Sequence, residues 1–254
     1  MKKHNKKTIL IVEDDLLFAK IIVEIINDQG YQTYHTSTGQ ATLAWLKENK
    51  ADLLLIDYSL PDMNASILTS LLSSDYNMAP FIIFTGAGDE MIATDMMKRG
   101  ARDYLSKDSK FLINLPLVVN KTIKDLENEK KLKTIENNLN QIKTLYKALI
   151  DSIHSIFLFF DSKNELQLAN KFTIQALGID QEKCIGQSIT SLAIQYPKYS
   201  KLFSIPKQYQ NCTEIDVLFV INEHLIKYKI KKLPIYDEDN NFLGTFFINK
   251  EIVD

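Results

Sequence analysis

The chain runs to 254 residues, with 30 Lys and Arg against 32 Asp and Glu, a formal charge of −2, two cysteines and 45% apolar residues. That composition excludes a disordered chain and supplies no global charge for gripping nucleic acid or an anionic membrane. Cys184 and Cys212 are too few for a disulfide framework or a four-cysteine zinc site, which points to a reducing, cytoplasmic compartment, and the length suits two domains.

The charged opening Met-Lys-Lys-His-Asn-Lys-Lys is followed by one short apolar run, Thr8 to Val12, before Glu13, Asp14 and Asp15. A secretory leader needs an apolar core of about 7–15 residues and a membrane span about 20. Neither pattern is present, so no membrane insertion is expected.

The first 115 residues read as strands alternating with helices. Thr8 to Val12, Tyr31 to His35, Asp52 to Ile56, Pro80 to Phe84 and Asp103 to Leu105 are the expected strands. Leu16 to Ile26, Gly39 to Asn49, Ile67 to Leu72 and Glu90 to Arg99 place apolar residues at helical spacing between them. Strands without a polar face, alternating with helices, predict an α/β doubly wound parallel five-stranded sheet covered on both sides.

From Pro116 to Ile153 there is no further Gly or Pro, and apolar residues fall three and four apart. Leu132, Ile135, Leu139, Ile142, Tyr146, Leu149 and Ile153 keep a strict coiled-coil spacing, out of phase with Leu115, Val119, Ile123 and Leu126 upstream. The phase shifts near Asn128 to Lys131. A paired seam is the expected use of the later stripe. The alternative is that the early part packs on the first domain's sheet and the later part on the second domain.

Beyond Asp151, Ile156 to Phe160 and Glu165 to Ala169 flank an Asp-Ser-Lys-Asn turn as a hairpin. Short helices are expected around Phe172 to Leu177 and Ser188 to Leu192, then strands over Glu214 to Ile221, Leu225 to Leu233 and Phe242 to Asn249. This order predicts an α+β antiparallel sheet. The division is then 1–127 for the first domain, 128–150 for the helical linker and 151–254 for the second domain.

In a doubly wound fold, functional groups collect at the carboxyl edge of the strands. Glu13 and Asp14 follow the first strand, Asp57 the third, Thr85 the fourth and Lys107 the fifth, so all five converge. Three carboxylates repel unless a cation sits among them, and their hard oxygens suit Mg²⁺. A hydroxyl and an ammonium opposite them suit the oxygens of a phosphoryl group.

The phrases Ile9-Leu-Ile-Val-Glu-Asp-Asp15, Asp52-Leu-Leu-Leu-Ile-Asp-Tyr-Ser-Leu-Pro-Asp62, Ile82-Ile-Phe-Thr-Gly86 and Gly100-Ala-Arg-Asp-Tyr-Leu-Ser-Lys107 follow one another in register. Together they resemble the flavodoxin-like receiver domain of bacterial two-component response regulators, over residues 6 to 127. The resemblance implies that Asp57 accepts a phosphoryl group from a sensor histidine kinase or phosphotransfer protein, with Mg²⁺ held by Glu13, Asp14, Asp57 and the backbone carbonyl of Ser59. It implies that Lys107 pairs with a phosphoryl oxygen, that Thr85 hydrogen-bonds it, and that Tyr104 is a switch aromatic that follows Thr85. A receiver of this kind is a phosphoacceptor that transfers the group to itself and can slowly lose it, not a classical enzyme. Asp15 is expected to cap a helix or remain solvated.

Three positions depart from the family pattern. Ala65 stands in an expected loop where glycine is usual, Gly86 follows Thr85 where alanine is typical, and Asp108 replaces the proline after the lysine. The Gly86-Ala87-Gly88 stretch is too short and misplaced for a dinucleotide fingerprint.

The C-terminal part resembles a PAS domain, over about residues 146 to 254. The likeness rests on Leu145 to Ile153 as entering helix, Ile156-Phe-Leu-Phe-Phe-Asp161, Leu168-Ala-Asn170, Leu177-Gly178, Cys184-Ile-Gly186 and Phe242-Leu-Gly-Thr-Phe-Phe247. Its ligand is unknown. Phe157, Phe159, Phe219, Tyr228, Phe246 and Phe247 read more readily as core than as pocket lining. His154, expected in the entering helix, and His224, in a strand turn, are poorly placed for haem, and Cys212 lacks the motif of a flavin photosensor.

No basic helix-turn-helix pattern, cyclase signature or kinase nucleotide loop follows Ile153, and none of His4, His35, His154 and His224 sits in a phosphorylatable histidine box. The expectation is a phosphorelay response regulator whose helical linker carries the change at Asp57 to a PAS module, paired as a homodimer through the linker, the PAS domain or both. The rivals are the N-terminal fragment of a hybrid sensor kinase, and a PAS ligand sensor in which the receiver is a scaffold.

Overall fold

A computed structural model describes residues 6–73, 79–86, 90–203, 213–221 and 224–253. The chain divides into two compact units, residues 1–134 and 135–254. His4, Gly88 and Cys212 lie outside the described residues, as do the side chains of Phe219 and His224.

In the first unit, β1 (Thr8–Val12), α1 (Leu16–Asp28), β2 (Gln32–Thr36), α2 (Gly39–Glu48), β3 (Leu53–Asp57), α3 (Ala65–Ser73), β4 (Phe81–Thr85), α4 (Glu90–Lys98) and β5 (Asp103–Ser106) precede the long helix α5 (Phe111–Asp151). The strands are all parallel in the order β2-β1-β3-β4-β5. Alternation sends Ile9, Ile11, Leu53, Leu55, Ile82 and Phe84 to one face, against α1 and the start of α5. Leu10, Val12, Leu54, Ile56, Phe81 and Ile83 go to the other, against α3 and Met96 of α4. Each buried aliphatic side chain contributes about 1.5–3 kcal/mol, and two covered faces explain why these strands show no polar alternation.

The boundaries depart from the expected ones where local chemistry decides them. Strand β2 begins at Gln32 because Gly30 turns the chain at φ +89°. Helix α3 begins at Ala65, so the expected loop residue is a fully buried first helical residue in the apolar layer. Helix α5 begins at Phe111, five residues before Pro116, which sits inside it near its start and removes a single backbone donor. Asp108 fits this beginning: its side chain accepts from Lys110 N–H at 2.8 Å and its carbonyl from Phe111 N–H at 3.0 Å.

Phe111, Leu115, Val119, Thr122 and Ile123 bury one side of α5 on the unit's own sheet. After Leu126 that changes, and Leu132, Ile135, Leu139, Ile142, Tyr146 and Leu149 are all exposed. The early series therefore packs as the last helix of the first unit's sheet, while the later stripe stays exposed along the helix.

The second unit contains β6 (Phe157–Asp161), β7 (Leu166–Ala169), α6 (Lys171–Leu177), α7 (Gln181–Cys184), α8 (Ile189–Gln195), a 3-10 turn at Pro197–Tyr199, β8 (Thr213–Ile221), β9 (His224–Tyr236) and β10 (Phe242–Val253). Its antiparallel sheet runs β7-β6-β10-β9-β8. Phe160, Tyr228 and Phe247 are core residues, whereas Phe157, Phe159 and Phe246 are half-buried and pack on one another with centroids 5.0 and 4.7 Å apart. Lys232 of β9 is also buried, its ammonium 4.6 Å from the Phe247 ring centroid, and burial lowers its pKa to about 8.

His154 is not in the entering helix. The helix closes at Asp151, and the amide of the fully buried Asn170 takes over the chain beyond it. Asn170 Nδ2 donates to the carbonyls of Ile150, Ile153 and Ser155 at 3.3, 2.9 and 2.9 Å. Its Oδ1 accepts from Thr173 N–H at 3.0 Å, capping α6, and Asp151 accepts from Lys171 N–H at 2.8 Å. Polar satisfaction of a helix end, invisible in hydrophobic spacing, sets this boundary.

Candidate functional site

Strand order reverses between β1 and β3, and the crevice at their carboxyl ends is the ligand position of such sheets. Glu13 follows β1 and is buried, Asp14 beside it is exposed, and Asp57 is the last, buried residue of β3. Thr85 is likewise the buried last residue of β4. Lys107, just past β5, extends back across the edge, with Nζ 2.8 Å from Asp57 Oδ2 and 2.9 Å from Glu13 Oε2. Its backbone N–H donates to the Thr85 carbonyl at 2.8 Å, which anchors the loop that carries it. Asp108 in place of proline therefore leaves the lysine presented to the carboxylates.

Burial pushes the Glu13 and Asp57 carboxyls above their usual range, against the opposing hydrogen bonds from Lys107. Burial pulls the Lys107 ammonium down, but its bonds to Asp57 and Glu13 prevail and hold it above its ordinary value. The rings of Phe18 and Phe84 stand 5.0 and 5.2 Å from Nζ, so the ammonium is held by two anions and two aromatic faces.

Glu13, Asp14 and Asp57 offer one carboxylate oxygen each, all within 4.8 Å of one another. Three hard, anionic oxygens at that spacing fit a small divalent cation such as Mg²⁺. Ser59 is exposed two residues past Asp57, and its segment bridges to Asn64, which fixes the start of the β3–α3 loop. Tyr104 is half-buried in β5, packed on the layer that holds Met96 and Ala101. Asp15 caps α1, accepting from Leu17 and Phe18 N–H. A cleft of about 420 Å³, lined by Glu13, Phe18, Lys107, Ser109, Phe111 and Leu112, opens beside the site.

Two contributors were not read from the sequence. His35 Nε2 donates to the Glu13 carbonyl at 2.7 Å, bracing the acidic turn from β2. Its place near the carboxyl end of a strand beside β1 is the signal that was there to read. Asp62 accepts from Gly39 and Gln40 N–H, both at 2.9 Å, and ties the loop after β3 to the start of α2.

A parallel sheet with this acidic edge and a lysine across it defines the receiver class of signalling domains. Family models agree: residues 9–112 match the response regulator receiver domain and residues 144–252 match the PAS fold. The chain thus carries a response regulator receiver domain followed by a PAS domain. It is 32% identical over 120 residues to the methanogenesis regulatory protein FilR1 of Methanothrix harundinacea, covering 45% of this chain and 27% of that protein. It is 29% identical over 103 residues to the transcriptional regulatory protein CrdR of Helicobacter pylori, covering 40% and 48%. Against the DNA-binding response regulator MtrA of Mycolicibacterium paratuberculosis it is 29% identical over 105 residues, covering 41% and 46%. The chain thus spans between about a quarter and a half of the length of these relatives.

Among solved structures, a CheY-like receiver domain protein from Methanospirillum hungatei aligns at 25% identity and a TM-score of 0.45, covering 49% of this chain and 98% of that one. The NtrX receiver domain of Brucella abortus aligns at 23% and 0.43, covering 46% and 98%. Among the described residues, no helix is long and apolar enough to cross a membrane.

Proposed function

We propose that the chain is a cytoplasmic phosphorelay response regulator that accepts a phosphoryl group on Asp57 from a sensor histidine kinase or phosphotransfer protein. In this reading Asp57 is the nucleophile: a carboxylate oxygen forms a bond to phosphorus while the bond from phosphorus to the donor nitrogen breaks, its electron pair returning to that nitrogen. The obstacle is charge, since an anion approaches an anion. Glu13, Asp14, Asp57 and the Ser59 carbonyl would hold Mg²⁺, which supplies positive charge for that encounter. Lys107 would move from its present carboxylate partners to a phosphoryl oxygen, and Thr85 would donate a hydrogen bond to another. Tyr104 would follow Thr85 inward, passing the change to β5 and α5.

We place the domain boundaries at 1–127, 128–150 and 151–254, with the middle segment as a transmitting linker and with pairing of two chains through that helix, the PAS domain or both. Output through protein contacts, without DNA binding, accords with the near-balanced charge of the chain. The observation that carries the reading is the position of Lys107 Nζ between Asp57 and Glu13 at the strand switch point. A Phos-tag gel of the full chain with a small phosphodonor and Mg²⁺ tests it. A retarded band is expected for the native sequence and none for Asp57→Asn; a native chain that never shifts overturns the phosphoacceptor role.

A further inference from the structure

Helix α5 is a single helix from Phe111 to Asp151, yet its burial ends with the receiver's core. Over its last five turns the large apolar side chains Leu132, Ile135, Leu139, Ile142, Tyr146 and Leu149 have exposures between 51% and 63%. They repeat at three and four residues, which places Leu132, Leu139 and Tyr146 at heptad position a and Ile135, Ile142 and Leu149 at d. Thr134, Asn137, Asn140, Gln141, Thr144 and Lys147 cover the remaining turns with polar groups. A continuous apolar stripe on an otherwise polar helix is an association surface, and a helix of this kind draws most of its stability from burying that stripe.

We infer that the occupant of this stripe is a second copy of the same chain, aligned parallel and in register over residues 132–149. This rests on the receiver-linker-PAS reading only for its signalling use; the pairing itself stands on the helix. The flanking positions choose the orientation. In parallel register the g residue of one helix meets the e residue five positions on in its partner. Lys131 then faces Glu136, opposite in charge; Asn138 faces Lys143, without repulsion; and Leu145 faces Ile150, apolar against apolar. Leu145 is 60% exposed in the single chain, so this last pair widens the buried seam toward its C-terminal end.

The antiparallel arrangement with the same a-to-d layers pairs Glu136 favourably with Lys143, but sets Leu145 against Asn138 and Ile150 against Glu129. It places the wide apolar end of each helix on the polar end of the other. Leu at a with Ile at d also accommodates more than two helices, so copy number is measured together with register.

Ile135→Cys and Leu149→Cys, oxidised separately in the otherwise native full chain, each yield a disulfide-linked dimer if identical positions face one another. Thr144→Cys, on the outer side of the helix, and the native chain under the same oxidation do not. Sedimentation gives at least twice the monomer mass, and Leu139→Lys returns it to the monomer while circular dichroism confirms that both domains remain folded. Lys131→Glu weakens self-association by about tenfold, and adding Glu136→Lys restores it. A monomeric native chain overturns the inference. So does a crosslink that forms only when Leu132→Cys and Leu149→Cys chains are mixed, which marks antiparallel helices, or a charge swap that fails to restore association. These readouts need no phosphate, so they stand apart from the gel test of Asp57.

Discussion

Lys107 Nζ lies 2.8 Å from Asp57 Oδ2, although fifty residues separate them, and 2.9 Å from Glu13 Oε2. One ammonium is therefore shared by two carboxylates that are almost wholly buried. Removing it leaves two anions in a low-dielectric edge, where an unpaired charge costs far more than a surface pair yields. Lys107→Ala is expected to lower receiver stability by about 1–3 kcal/mol in metal-free buffer, read by denaturant unfolding. Added Mg²⁺ is expected to recover part of that loss, and a variant as stable as the native chain without metal contradicts the pairing.

The pH dependence of the same cluster has a definite sign. Burial raises the Asp57 and Glu13 carboxyls above their unfolded values, so the folded chain holds these protons more tightly than the unfolded one. Their contribution favours folding most at low pH and is lost as pH rises through the raised folded values. Asp57→Asn is therefore expected to melt above the native chain near neutral pH without metal, with the gap closing on acidification toward the ordinary carboxyl range. Thermal melts across that range check it, and a gap that widens on acidification refutes it.

Asn170 holds the exit of α5 to the PAS unit through three carbonyls and one N–H. Asn170→Ala strands these groups and is expected to destabilise the PAS unit by about 1–3 kcal/mol. Asn170→Asp is expected to be worse, because a carboxylate oxygen replaces a donor facing three acceptors. Denaturation followed by a PAS-specific probe distinguishes the two; equal losses disprove the donor role of the amide.

Lys232 presents the opposite linkage. Burial lowers its pKa from 10.5 to about 8, so the unfolded chain binds its proton more tightly and stability rises with pH across that interval. The difference corresponds to about 3 kcal/mol. Lys232→Met, similar in length and without charge, is expected to raise PAS stability at neutral pH and to flatten its rise between neutral and alkaline conditions. Unchanged pH dependence in the variant rules out this lysine as its source.

Gly244 pairs with Asp161 across β10 and β6 at φ +154°, and a Cβ there would collide with the backbone oxygen of Phe160 and the ring of Phe159. Gly244→Ala is expected to break the β6–β10 register and leave the PAS unit unfolded or strongly destabilised. Loss of near-ultraviolet signal from the PAS aromatics reports it.

The two sheets were legible because each strand shows a pattern that its environment imposes. Thr8 to Val12 is unbroken because both faces are covered, and Phe157 to Asp161 lies between turn residues because it forms a hairpin. The four-residue α7 was not legible, since it has too few residues for a period and rests on an Asp180 cap. Glu13, Asp57, Thr85 and Lys107 were legible as a convergent set because strand ends in a doubly wound sheet share one edge. His35, Asp62, Asn170 and Lys232 were not, because each acts on a backbone group or ring brought near by the fold and carries no local pattern of its own.

The sequence by itself determined the order of the strands and the longer helices, the acidic edge with its lysine, and the heptad stripe, all of which follow from residue type and periodicity. The tertiary structure alone decided which carboxylates Lys107 pairs with, where α5 stops and how far along α5 burial extends. Those depend on which groups meet across long sequence separations, where the balance of desolvation and hydrogen bonding is set by the packed neighbours and not by the chain's local pattern.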